Sequence, residues 1–267
     1  MTTPRDGAAT PVDDASAIRP SFASRRLSFG ANADAYARFR PGYNDRIVDW
    51  LLGHPTPGRS LEVLDLATGT GRLARDIAEA GYAVVAVEPD ADMRARAIDA
   101  LGPERVLAGS AEAIPLPDES VDVVTVGTAW HWFDPATAPV EIARVLRPNG
   151  LLSVVWNLRD DRVPWVAAFD EIIDGQDRVL RPTEVRFSAP PGHFSPPDFT
   201  QIPHEVSMAP ADLVGLASSF SYVTLRPDAD AVLQRLRILV DTHPDLVGRD
   251  TVALPYVAHC YRSQKLQ

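Results

Sequence analysis

The sequence predicts a doubly wound α/β fold, and three features predict it. Short apolar runs alternate with helix-length segments between residues 61 and 157. The first run feeds a glycine turn, TGTG, that opens a helix. The runs are apolar throughout, as strands covered by helices on both faces must be.

Taken in order, the segment ANADAYARFR (31–40) predicts a short helix stopped by Pro41. YNDRIVDWLLGH (43–54) predicts another, with Ile47, Trp50 and Leu51 on one face. LEVLDLA (61–67) is a strand that turns through TGTG into the helix RLARDIAEAGY (72–82). YAVVAVEP (82–89) is a strand and DADMRARAIDALG (90–102) a helix. RVLAGSA (105–111) and VDVVTVGTA (121–129) are strands. PATAPVEIARVLRPNG (135–150) holds a helix ending before Pro148, with Gly150 in the turn, and LLSVVWN (151–157) is the fifth strand. After Asn157 the rhythm breaks. WVAAFDEIIDGQDRVL (165–180), ADLVGLASSF (211–220) and PDADAVLQRLRILVDTHP (227–244) predict helices; 182–203 is proline-rich and reads as loop. HEVSMA (204–209) and TVALPYVAHCYR (251–262) predict strands. Residues 1–25 carry few bulky apolar side chains and are expected to be a disordered tail. Residues 26–267 are expected to form one domain: a core at about 43–157 and 204–262, and cap elements at about 26–42 and 158–225.

The chain has 267 residues, a net charge of −10 and one cysteine, Cys260. The acidic balance argues against a nucleic-acid substrate. A single cysteine allows no intrachain disulfide or thiolate cluster, and reads as a small core residue. No run has the roughly 20 apolar residues of a membrane span. The N-terminus has no apolar signal region, so the cytoplasm is the expected location. No metal site is predicted.

A strand, a glycine turn and a helix together make a nucleotide-site layout, because glycines let backbone approach a ligand and the helix start offers free N–H groups. Gly69, Gly71 and Ala74 formally match the dinucleotide fingerprint G-x-G-x-x-G/A. Asp65, four residues before Gly69, points elsewhere: a carboxylate there suits a positive group and repels a pyrophosphate. Glu88, ending the second strand, suits the two hydroxyls of a ribose. The implied ligand has an adenosine and an amino-acid-like cationic end.

The motifs VLDLATGTGRLA, VVAVEPDADM, GSAEAIPLPDESVDVV and ARVLRPNGLL resemble, in order and spacing, those of class I S-adenosylmethionine-dependent methyltransferases. Within that class the chain resembles the type 11 small-molecule group, near the trans-aconitate methyltransferase-like proteins; the flanks FGANADAYARFRPGY and LASSFSYVTL are similar too. The resemblance implies a Rossmann-like, mostly parallel seven-stranded sheet with a small cap. The implied cofactor is S-adenosyl-L-methionine, leaving S-adenosyl-L-homocysteine. It implies that Asp65, with the turn Ala67, Thr68, Gly69 and Gly71, holds the methionine part, and that Glu88 holds the ribose. Pro89 and Met93 then pack on adenine, with Ser110, Ala111 and Glu112 at its edge, while Tyr36 and Arg40 cover the cofactor. One departure stands out: the family pattern D-x-G-x-G-x-G has Ala67 at its first glycine, which is costless only at negative φ.

The loop GTAWHWFD (127–134) follows the fourth strand, at the switch point where doubly wound sheets bind ligands. Thr128, Trp130 and His131 are expected to face cofactor and acceptor, with Trp132 and Phe133 packing beneath; His131 is the candidate general base. Trp165, Phe169, Phe194, Phe220 and Tyr222 are either acceptor-pocket rings or core. Three functions stay open: methyl transfer to a small organic acceptor at O, N or C, nicotinamide-dependent oxidoreduction, or cofactor binding without methyl transfer. The expected partner is a small molecule, with no nucleic acid or membrane.

Overall fold

A computed structural model of the chain describes residues 33–54, 60–174 and 187–266. The expected tail at 1–25 and the end of the helix expected at 165–180 lie outside the described residues.

Seven strands form one sheet: β1 (Glu62–Leu66), β2 (Ala83–Glu88), β3 (Val106–Ala108), β4 (Val121–Gly127), β5 (Leu146–Arg159), β6 (Asp198–Met208) and β7 (Val252–Gln264). Their order is β3-β2-β1-β4-β5-β7-β6. Strands β1 to β5 are parallel, and β7 runs antiparallel to both β5 and β6. The helices are α1 (Ala33–Phe39), α2 (Asp45–Leu51), α3 (Arg72–Glu79), α4 (Ala91–Leu101), α5 (Ala138–Val145), α6 (Pro164–Asp174), α7 (Asp212–Ser218), α8 (Ser221–Thr224) and α9 (Ala229–Thr242). Local chemistry sets their starts: Asn44 caps the Ile47 N–H of α2, and Asp90 caps the Asp92 and Met93 N–H groups of α4.

Alternate strand residues enter opposite cores, which explains the unbroken apolar runs. Leu64, Leu66, Val124, Val126, Leu152 and Val154 pack with Ile142 and Val145 of α5. Val63, Val84, Ala86, Val123 and Val155 pack on the other face with Ile47, Leu51, Leu73, Ile77 and Ala97. Cys260 is fully buried in that second core, and burial pushes its thiol up to about 12. A third cluster, the cap, joins Trp165, Phe169, Leu213, Leu216, Phe220 and Leu236.

Two strands start earlier than the sequence predicts. β5 begins at Leu146, before Pro148. Its register against β4 jumps from Val121–Leu146 to Val123–Leu151, so 147–150 form a bulge with Asn149 at φ 63°. β6 begins at Asp198, so 198–203, expected as cap loop, belong to the sheet. Pro203 is tolerated in β6 because β6 is an edge strand, paired on one side alone.

Candidate active site

The C-terminal ends of β1 and β4 lie side by side, with Asp65 opposite Thr125. This is the switch point of the sheet, since β2 and β3 lie on one side of β1 while β4 and β5 lie on the other. Each strand ends in a left-handed residue. Ala67 has φ 54° and Thr128 φ 55°. The backbone is pinned there: the Thr68 N–H donates to the Val87 carbonyl at 3.1 Å, and the Thr128 N–H to Val155 at 2.7 Å. Strain at non-glycine residues of this kind concentrates at functional sites. Ala67 therefore occupies the costly conformation.

Gly69 and Gly71 continue the turn at φ 61° and 81°. They serve different purposes. A Cβ on Gly71 would lie 3.2 Å from the Ala97 backbone, so that glycine lets α4 pack close. A Cβ on Gly69 would meet nothing within 4 Å, so the space beside it is open.

Asp65 is 1 % exposed and receives the hydroxyls of Thr68 at 2.5 Å and Thr125 at 2.9 Å. Burial raises its carboxyl to about 6 against the pull of those hydroxyls. Glu88 is also buried; it accepts the Gly69 N–H at 2.7 Å and the Asp90 N–H at 3.0 Å. Burial raises it to about 7. Glu88 thereby ties the turn to the end of β2. Met93 is buried nearby on α4, whereas Pro89 is exposed and its carbonyl accepts from Arg94. After β3, Ser110 and Ala113 bridge one another, and Ala111 joins the apolar core. The Glu112 carboxylate accepts the Asp134 N–H at 3.0 Å, fastening this loop to the one after β4.

The loop after β4 contains a single 3-10 turn, Trp130–Trp132. Trp132 and Phe133 pack against the core, as expected of them, while Trp130, expected to face the ligand, packs against the same core cluster. Trp130 stands edge-on to Phe187 at 4.9 Å and to Phe133 at 5.6 Å, and all three loop rings pack on one core cluster. The 3-10 turn explains it: with three residues per turn, positions 130 and 133 fall on the same side. His131 projects elsewhere. Its ring leans on Trp132 at 4.7 Å, and its Nδ1 is buried with no hydrogen-bond partner. Burial lowers its pKa to about 4, so the ring is neutral at physiological pH.

A cleft opens between the strand ends and the cap. Of the predicted residues, Arg40, Asp65, Ala67, Thr68 and Thr128 border it; Gly69, Gly71, Glu88, Pro89, Met93, Ser110, Ala111, Glu112, Trp130 and His131 do not. Arg40 stands 4.2 Å over the Phe220 ring and donates from Nε to Ser219 Oγ at 3.1 Å. Tyr36 lies on α1, but its side chain is outside the described residues. Among the expected pocket rings, Phe220 borders the cleft; Trp165 and Phe169 are cap core, Tyr222 packs against that core, and Phe194 lies in a sheet core.

The sequence reading missed Arg72, Asn157, Arg159 and Tyr256, which also border the cleft. Asn157 and Arg159 end β5, and the rule that ligands sit beyond the C-terminal ends of parallel strands could have found them. Tyr256 lies early in the antiparallel β7, where no sequence signal marks it.

Comparison with known proteins agrees with this architecture. A family model described as a methyltransferase domain matches residues 64–154. An uncharacterized methyltransferase of Mycobacterium tuberculosis is 43% identical over 244 residues, covering 89% of this chain and 95% of that protein. An uncharacterized methyltransferase-like protein of Schizosaccharomyces pombe is 33% identical over 249 residues, covering 89% and 95%. A solved structure from Anaeromyxobacter dehalogenans, assigned to the type II methyltransferases, shares the fold at TM-score 0.58, with 24% identity over 85% of this chain and 98% of that one. The Haemonchus contortus phosphoethanolamine N-methyltransferase 2, solved with S-adenosylhomocysteine, shares it at TM-score 0.52, with 17% identity over 93% and 60%. The switch-point site, the ordered motifs and these full-length relatives lead to one conclusion: the chain belongs to the S-adenosylmethionine-dependent methyltransferases.

Proposed function

We propose that the protein transfers a methyl group from S-adenosylmethionine to a small organic acceptor bearing an O, N or C nucleophile, in the cytoplasm and without nucleic-acid or membrane partners. The observation that carries this reading is the left-handed glycine turn, with open space beside Gly69, joined by a hydrogen bond to the buried carboxylate of Glu88. When bound, the cofactor supplies a methyl group already activated by its sulfonium. The chain's own residues then have three tasks. Glu88 accepts the ribose hydroxyls, and the turn at Ala67, Thr68, Gly69 and Gly71 receives the amino-acid end in the open space beside Gly69, above Asp65. Met93, Pro89 and the Ser110–Glu112 loop frame the adenine. Arg40, Thr128 and the cap border the acceptor's space and exclude water, and holding two reactants so is the main source of rate in such a transfer. His131 is the proposed base for acceptors that must lose a proton on its place in the loop after β4 alone, since its Nδ1 is buried and it lies outside the cleft lining. A malonyl-[acyl-carrier protein] O-methyltransferase of Pectobacterium atrosepticum, 30% identical over 158 residues, supports an oxygen acceptor.

Thermal unfolding with ligands tests the reading. S-adenosylhomocysteine should raise the midpoint and NADH should not, and labelled methyl groups should appear on at least one member of a panel of small acids, phenols and amines. Stabilisation by NADH alone would overturn it.

A further inference from the structure

An arginine holds the corner between β2 and α4, in a place where a cation needs a reason. Arg94 closes the first turn of α4, where the helix's own field is positive and disfavours a positive side chain. Its half-buried side chain turns back over the helix start. There Nη1 donates to the Glu88 carbonyl at 2.9 Å and to the Pro89 carbonyl at 3.0 Å. Glu88 is the last residue of β2, and Pro89 follows it. The Glu88 side chain is held as well: Oε2 accepts from the Gly69 N–H and Oε1 from the Asp90 N–H. Asp90 in turn caps α4. One network that includes Arg94 therefore fixes both the backbone and the carboxylate of Glu88. The charges facing that carboxylate are of both signs. From the start of α4 come Asp90, which disfavours its ionisation, and Arg94, which favours it. Asp65 of β1 pairs with Ala86, two residues back along β2, and its oxygens accept threonine hydroxyls. Arg72 of α3 is turned to the Ala37 carbonyl. β3 ends opposite Glu88 at the uncharged Ala108.

Resting on the reading of Glu88 as the ribose acceptor, we propose that Arg94 is a positioning residue for the cofactor: it fixes the backbone on which Glu88 stands, and its charge keeps the Glu88 carboxylate ionised for the two ribose hydroxyls. It acts through Glu88 rather than on the cofactor. An ionised carboxylate accepts both O–H bonds, whereas a protonated one turns an oxygen into a donor. Burial already raises Glu88 to about 7 with Arg94 in place. Loss of the cation should carry it further up and leave less of the ionised form at neutral pH.

The test is calorimetric titration of the full chain with S-adenosylhomocysteine at closely spaced pH values from about 5.5 to 8.5. The rise in affinity as Glu88 ionises gives a midpoint. Arg94→Met should move that midpoint up by about half a pH unit or more and weaken binding at neutral pH by about threefold or more. Arg94→Lys keeps the charge and should hold the midpoint near that of the wild type, with weaker binding because a compact ammonium replaces the guanidinium. In a Glu88→Gln background, Arg94→Met should leave the pH profile unchanged. The ligand's own titration is common to every variant and cancels. A plain packing role for Arg94 would weaken binding equally at every pH and leave the midpoint in place, and that result overturns the inference. So does a midpoint that moves as far in R94K as in R94M, or one that R94M still moves in the E88Q background. Binding by E88Q indistinguishable from wild type would overturn the ribose assignment of Glu88 and this inference with it. Failure of S-adenosylhomocysteine to bind at all would overturn the methyltransferase reading itself.

Discussion

At the scale of single residues, the site depends on groups whose ionisation burial has altered. His131 has its pKa lowered to about 4, so above that pH its ring is a neutral acceptor. Replacing it with Ala removes no contact to the turn or to Glu88. The expected result is a fall in turnover of about 10²-fold or more for an acceptor that must lose a proton, with S-adenosylhomocysteine affinity nearly unchanged in calorimetry. Unchanged turnover would remove His131 from the mechanism. Glu88 and Asp65 are raised to about 7 and 6, from 4.5 and 3.8. A folded state that holds protons more tightly than the unfolded chain loses stability as pH rises, here between about pH 4 and 7. Ribose hydroxyls favour ionised Glu88, so cofactor affinity should move the opposite way and rise over pH 6 to 7. Glu88→Gln should weaken S-adenosylhomocysteine and abolish that rise, as titrations at several pH values would show.

At the scale of elements, the turn after β1 decides how well the cofactor can be approached. Its glycines are required for different reasons: Gly71 by the packing of α4, Gly69 by φ and by the open space it leaves. Ala67 has neither excuse and sits at φ 54°. Left-handed backbone costs a residue with a Cβ about 1–2 kcal/mol, which glycine's greater unfolded-chain entropy partly offsets. Ala67→Gly should therefore leave the thermal midpoint equal or higher, whereas the β-branched Ala67→Val should lower it by roughly 4–8 °C for about 2 kcal/mol. A midpoint for A67V matching wild type would show that the turn relaxes. The element boundaries that sequence misplaced have the same character. Proline at 148 and at 203 reads as a stop, yet β5 absorbs Pro148 in a bulge and β6 absorbs Pro203 because no strand pairs with its outer edge. Neither bulge nor edge is visible in a one-dimensional pattern.

At the scale of the whole molecule, the acids and glycines of the first four strands could be read from the chain because each is local: strand end, turn and helix start are consecutive residues. Asp65, Thr68, Gly69, Gly71 and Glu88 needed only their positions relative to apolar runs. The loop GTAWHWFD was found in the same way, but the facing of Trp130 was not, since a single 3-10 turn places Trp130 with Phe133 rather than with His131. The cap wall is the opposite case. Arg40, Asn157, Arg159, Phe220 and Tyr256 come from segments scattered over more than two hundred positions and meet only when β7 returns antiparallel beside β5 and the cap helices close on themselves. Sequence alone determined the fold class, the switch point and the glycine turn with its flanking acids, because hydrophobic periodicity and turn chemistry are short-range properties. Tertiary structure alone decided which side chains line the cleft, because that depends on long-range strand pairing and on how the cap helices close.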